Sequence, residues 1–179
     1  MENQNDSTPQ NDVVTPEIKI DSDKLNLYVN KLKLEQNLPL AFVGGLSTTL
    51  VGAILWAIIT VSTEYQIGFM AIIIGFIVGY SVRLFGKGID TIFGVIGAFL
   101  ALLGCVLGNF LSIVGFVANS ENLGYLETLS LIDFSIVPEI MIESFNPMDL
   151  LFYGLAIYEG YRFSFRQITE EEILENAVE

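Results

Sequence analysis

The chain of 179 residues contains no histidine and a single cysteine, Cys105. Without histidine there is no Ser-His nucleophile, no bis-His haem and none of the usual zinc sites. One cysteine cannot close a disulfide within the chain, and a thiol set in an apolar run stays protonated and inert. Basic residues are also scarce: eight Lys and Arg stand against 21 Asp and Glu, for a net charge of −13. A strongly basic nucleic-acid surface is therefore absent. With 52% hydrophobic and only 16% charged residues, the composition leaves no material for a second soluble core. It describes one membrane domain with polar tails.

What is present is four apolar segments, and all eight bases can be placed on one side of them. The spans read as about 38–61, 67–84, 89–117 and 148–165. Lys19, Lys24, Lys31 and Lys33 precede the first, Arg83 and Lys87 follow the second, and Arg162 and Arg166 close the fourth. The link to Glu64 and the long stretch after span three carry none. By the positive-inside rule this predicts an all-α bundle of four transmembrane helices with both termini cytoplasmic. Pro39 suits a helix start, Trp56 lies nearer the outer end of its span, and Gly86 and Gly88 suit a helix stop.

Residues 1–23 are polar and acidic, lack the apolar core of a signal peptide and read as a disordered cytoplasmic tail. In residues 24–37 apolar residues alternate with Lys24, Lys31 and Lys33, with a periodicity ambiguous between helix and strand. Beside a membrane, a short interfacial helix is expected there. The four-span membrane domain covers 38–166. Within it, 118–147 mixes large apolar residues with Glu127, Asp133, Glu139 and Glu143, which disfavours a fifth crossing. It reads as an amphipathic external segment in which Pro138-Glu139 suits the start of a one- or two-turn helix, interrupted by Pro147 before span four. In the acidic tail 167–179, Thr169-Glu-Glu-Glu172 predicts a capping box and a short helix to Val178.

Two features could carry function. Gly75 and Gly79 in span two, and Gly104 and Gly108 in span three, form GxxxG patterns, and span one holds Gly45 and Gly52. Small residues on one helical face let backbones approach where lipid supplies no competing attraction. Packing within the bundle is the first reading and self-association the second. The other feature is Glu159, about seven residues or roughly 10 Å from the cytoplasmic end of span four if that span is counted from Asp149 to Arg166. An ionisable group at that depth is a candidate functional group, and Arg162 at i+3 can pair with it. Ser47 and Thr48 of span one and Tyr80 and Arg83 of span two share its depth, so a polar cluster in the inner half is expected. An interfacial ion pair that merely anchors the helix is the competing reading. Gly86-Lys87-Gly88 lacks the strand and spacing of a phosphate loop and reads as a turn. Asn109 and Ser112 are expected to hydrogen-bond between helices.

Glu35-Gln-Asn37, Gly52-Ala-Ile-Leu-Trp56, Tyr65-Gln-Ile-Gly68, Gly75-Phe-Ile-Val-Gly-Tyr80, Leu107-Gly-Asn109, Asp149-Leu-Leu-Phe152 and Ala156-Ile-Tyr158 resemble a group of small bacterial multi-pass membrane proteins of uncharacterised function. The resemblance covers roughly 35–165 and implies a bacterial cytoplasmic membrane; it implies no activity.

The residues hold no catalytic, metal or cofactor constellation. The sequence therefore predicts a non-enzymatic membrane scaffold or accessory subunit, embedded in the lipid bilayer and partnered by copies of itself or by another membrane protein. A small transporter or ion-conducting oligomer built around Glu159 is the alternative.

Overall fold

In the computed structural model, residues 21–65 and 68–177 are described. Every regular element among them is an α-helix. The chain divides into two compact units. One is residues 30–167; the other combines residues 21–29 with 168–177 among those described.

The smaller unit holds the first half of helix α1 (Ser22–Leu34) and all of α8 (Glu170–Ala177). The ambiguous periodicity of residues 24–34 resolves as helix. Asp21 starts it, accepting hydrogen bonds from the Asp23 and Lys24 N–H groups at 2.8 and 3.3 Å. The expected capping box opens α8: Thr169 N–H donates to Glu172 Oε2 at 3.4 Å, and Glu172 N–H donates to Thr169 Oγ1 at 3.2 Å. Val178, the expected end, lies outside the described residues, as does Ile67, the expected start of span two.

The larger unit is built on α2 (Leu38–Thr63), α3 (Phe69–Gly86), α4 (Thr91–Glu121) and α7 (Pro147–Phe163). Of these, α2, α3 and α4 are long and apolar enough to cross a membrane. At 26, 18 and 31 residues they measure about 39, 27 and 46 Å. Asn37 caps α2, its side chain accepting from Leu40 N–H at 2.9 Å, with Pro39 in the first turn. Helix α3 ends through Lys87, left-handed at φ 48°, whose N–H returns to Arg83 O at 2.9 Å. The expected glycine stop is thus made by a lysine; the flanking glycines serve close packing. A Cβ at Gly86 would lie 2.6 Å from Ala41 Cβ, and one at Gly88 would enter the Phe93 ring.

Helices α3 and α4 pack on each other, and α2 and α7 flank the pair, each touching both. Small residues line much of the interior, alongside larger core side chains such as Trp56, Ile74 and Leu100. On α2 the buried positions include Ala41, Gly44, Gly45, Thr49, Gly52 and Ala53, whereas Leu50, Val51, Ile54, Leu55 and Ile58 face outward. In water so large an apolar exterior would drive association. In lipid it is the expected solvent-facing surface, and small interior residues allow the backbones to meet. The three long helices and this inside-out distribution define a membrane protein.

Helix α7 is 17 residues long and carries Asp149, Glu159 and Arg162. Asn146 and Asp149 cap it reciprocally, with Asn146 N–H donating to Asp149 Oδ2 at 2.9 Å. Between α4 and α7 the chain forms two short helices, α5 (Tyr125–Leu131) and α6 (Val137–Glu143). They explain the length of α4, whose last turns carry α5. Tyr125 OH reaches back to donate to Leu111 O at 2.6 Å, and Phe134 lies 6.5 Å from Phe110. Burial raises Tyr125 above its ordinary value of 10.0, keeping that donor protonated.

Trp56 is fully buried, with ring carbons that would lie 3.0 to 3.1 Å from a Cβ at Gly108, and it is a core residue.

Candidate functional site

All six glycines singled out in the sequence face neighbouring helices of the bundle. A Cβ at Gly75 would sit 2.5 Å from Ala156 O and 2.8 Å from Ala156 Cα; one at Gly79 would sit 2.9 Å from Gly160 O. The GxxxG of α3 therefore meets Ala156 and Gly160 of α7 backbone to backbone. Gly104 faces Ile74, Gly108 faces Trp56, Gly45 faces Leu100 and Val82, and Gly52 faces Ile74. Sequence pattern alone missed the third partner at the α7 crossing: a Cβ at Gly160 would lie 2.6 Å from Gly97 O on α4. Gly94 and Gly97, spaced by three, carry no GxxxG signal.

The inner-half polar residues do not converge on one cavity. Thr48 Oγ1 lies 2.8 Å from Ser81 Oγ, and both hydroxyls reach Gly44 O, at 3.0 and 3.1 Å. This pair ties α2 to α3. Thr49 bonds Gly45 O at 2.9 Å and Leu100 O at 3.2 Å, tying α2 to α4. Ser47 is exposed and turns its hydroxyl back to Val43 O at 2.8 Å. Ser47 and Thr48 line an apolar cleft with Leu40, Val51, Ile77 and Phe85. Tyr80 and Arg83 line a different one. Glu159 and Arg162 line neither.

The expected Glu159–Arg162 pair is not formed. Among the described residues the ion pairs are Lys33–Asp90 and Arg166–Glu35. Arg162 instead donates to Tyr158 OH at 3.3 Å and lies over the Tyr158 and Phe163 rings at 5.9 and 6.0 Å. Glu159 is half-buried, and its backbone carbonyl lies against Gly79.

Asn109 does bond between helices, donating to Tyr153 OH on α7 at 3.3 Å. Ser112 bonds within its own helix, to Gly108 O at 2.7 Å. Trp56 Nε1 and Thr60 Oγ1 are buried with no hydrogen-bond partner among the described residues.

The most connected polar site lies at the basic end of the bundle, where α2 begins and α3 ends. Gln36 is its centre. Its Oε1 accepts from the Ile89 and Asp90 N–H groups at 3.0 and 3.1 Å, and its Nε2 donates to Asp90 Oδ2 at 2.8 Å. One side chain thus satisfies donors just before α4. Asn37 N–H donates to Gly86 O at 2.9 Å, and Arg166 N–H donates to Gly88 O at 2.8 Å. Arg166 Nη1 pairs with Glu35 Oε2 at 2.9 Å, and Lys33 lies 3.9 Å from Asp90. Residues 33–37, 86–90 and 166 are thereby locked into one network that joins the start of α2, the α3–α4 turn and the chain beyond α7. These contacts span 49 to 131 residues, and nothing local in the sequence signals them.

Among the described residues no three His, Cys, Asp or Glu side chains come together as metal ligands would. The fold and site define an α-helical membrane protein. No family model, curated protein or solved structure matches the chain.

Proposed function

We propose that this protein is a non-enzymatic scaffold or accessory subunit of the bacterial cytoplasmic membrane. It spans the bilayer four times, with α7 as the fourth span and both termini cytoplasmic. The observation that carries this reading is the way the interior closes. The glycines of α2, α3 and α4 meet neighbouring backbones or side chains, and Thr48, Thr49 and Ser81 spend their hydroxyls on carbonyls of their own and adjacent helices. Such a core holds shape; among the described residues its buried unpartnered polar atoms are Trp56 Nε1 and Thr60 Oγ1, which do not make a continuous path for a solute. The transport alternative draws no support from the geometry, because Ser47, Thr48, Tyr80, Arg83 and Glu159 face different surroundings.

The span assignment of α7 is supported by its packing on both α3 and α4 and by its length, about 26 Å at the helical rise, close to a hydrocarbon core. Of its three charged residues, Asp149 is taken up in the cap at the first turn, and Glu159 and Arg162 lie toward the other end, where Arg162 can reach headgroups.

The partner is a second copy of the chain or another membrane protein. Tagged full-length protein extracted in mild detergent is expected to co-purify at fixed stoichiometry with itself or with another membrane protein. Repeated recovery of the bare monomer overturns the reading. So does ion flux in reconstituted liposomes that Glu159→Gln abolishes.

A further inference from the structure

Glu35, Tyr80, Arg83, Leu84, Lys87 and Arg166 line a cleft of about 300 Å³ at the basic end of the bundle. We propose that this cleft binds a phosphate group, presented by the headgroup of an anionic phospholipid.

Charge is the first argument. Three cations and one carboxylate share the cleft. Arg166 is engaged with Glu35 at 2.9 Å, whereas Arg83 and Lys87 form no ion pair among the described residues. Two like charges held on one short turn repel, and a bound anion relieves that repulsion. Arginine offers a planar fork for two phosphate oxygens, and lysine adds a point charge. Glu35 repels an anion, so the phosphate sits toward Arg83 and Lys87.

The placement of these charges is the second argument, for it is imposed rather than incidental. Lys87 is the left-handed residue that ends α3, tied to Arg83 O at 2.9 Å. Arg83 is stacked over the Tyr80 ring at 5.9 Å. The backbone of Arg166 is fixed to Gly88 O at 2.8 Å, and the whole turn is braced by Gln36. The cleft therefore exists before any ligand arrives, which lowers the cost of binding.

The third argument selects a lipid as the source. One wall is apolar: Leu84 and Tyr80 are 58% and 48% exposed, and the outward face of α3 continues through Phe76 and Ile73. An acyl chain can follow that face while its phosphate meets the cations. A cleft of this volume holds roughly ten waters, at about 30 Å³ each, which is room for a headgroup. The lipid source rests on the proposed orientation, with this end of the bundle among headgroups.

The test uses purified full-length protein in an uncharged detergent, titrated calorimetrically with short-chain phosphatidylglycerol, short-chain phosphatidylcholine and inorganic phosphate. Phosphatidylglycerol is expected to bind more tightly than phosphatidylcholine. Arg83→Gln and Lys87→Gln are each expected to weaken it about tenfold, about 1.4 kcal/mol. Lys31→Gln, an equal charge change on the exposed face of α1, is expected to leave it unchanged. Circular dichroism checks that each variant remains folded. Inorganic phosphate binding as tightly as phosphatidylglycerol, with the same sensitivity to Arg83 and Lys87, supports the phosphate site and assigns it a soluble source. Equal weakening by all three substitutions overturns the site in favour of general surface attraction. So does indistinguishable binding of the two lipids without competition by phosphate. An error in the membrane orientation would appear in side-specific labelling and not in this detergent titration, so the two failures are separable.

Discussion

Replacing Gly75 with alanine probes the α3–α7 crossing on which the bundle closes. The new Cβ would lie 2.5 Å from Ala156 O, 2.8 Å from Ala156 Cα and 3.0 Å from Ala156 C. An ordinary contact begins near 3.4 Å, so the two backbones must move about 0.9 Å apart at this point. A radial gap of 0.5 to 1 Å forfeits roughly a quarter to a half of the attraction of each atom pair it opens. The next crossing point, Gly79 against Gly160, lies one turn away and opens with it. Overpacking of this kind costs about 1–3 kcal/mol. The better helix propensity of alanine returns up to about 1 kcal/mol. The net expectation is a loss of about 1–2 kcal/mol, or on the soluble-domain scale a Tm lowered by roughly 2–8 °C. Thermal unfolding followed by helical circular dichroism in detergent measures it. Gly154→Ala on the same α7 is the control, because nothing lies within 4 Å of its added Cβ; its stability should hold or rise. Adding Ala156→Gly to Gly75→Ala should rescue nothing, since the crowding atoms belong to the Ala156 backbone. Stability of Gly75→Ala at or above wild type, or recovery in the double variant, refutes the close backbone crossing. An altered oligomer size with an unchanged melt would return this glycine face to self-association.

Gly52→Ala should behave differently, because its nearest obstacle is a side-chain tip, Ile74 Cδ1 at 2.9 Å; Ile74→Val removes that atom, and melting of the double variant should be closer to additive recovery than to additive loss. Gln36→Ala deletes acceptors for the Ile89 and Asp90 N–H groups and should cost about 1–2 kcal/mol in the same melting assay; an unchanged Tm would show that the polar network does not brace the turn. Asp133 accepts from the N–H and Oγ of Ser135 at 2.9 and 2.7 Å, and the side-chain bond, then the backbone bond, hold its carboxyl below the ordinary 3.8. A depressed carboxyl stabilises its turn above pH 3.8 and loses that contribution as pH falls through the folded value. A pH titration of the Asp133 carboxyl by NMR should find a midpoint below 3.8 that returns toward it in Ser135→Ala.

The long helices were legible in the sequence because hydrocarbon demands long uninterrupted apolar runs, and Pro39 and Thr169 mark the starts of α2 and α8. Glycine spacing singled out Gly75 and Gly79, and both lie against the α7 backbone. Which helix each face meets was not legible, because helix rotation is set by neighbours. That is also why Ser47, Tyr80 and Glu159, placed at one depth by counting residues, do not share a cavity. Depth follows from sequence position; facing does not. Position in the span left the role of Trp56 open for a related reason: a large ring there fits either an interface or a glycine-lined socket, and Gly108 supplies the socket. The Gln36 network lay beyond reach because its partners are more than fifty residues away. In the segment between α4 and α7, Pro138-Glu139 marks a short helix, and α6 begins there; α5 was not legible, because it is held by the docking of Tyr125 on Leu111.

Side-specific labelling of single cysteines tests the central claim, a four-span bundle with its basic end and both tails on one face, most directly. In a Cys105→Ser background, Glu121→Cys and Gln167→Cys place one thiol on each side of α7. A membrane-impermeant maleimide added to sealed vesicles of known orientation should label Gln167→Cys only from the cytoplasmic face and Glu121→Cys only from the opposite one. Labelling of both from the same face would mean that α7 does not cross, and would contradict the account.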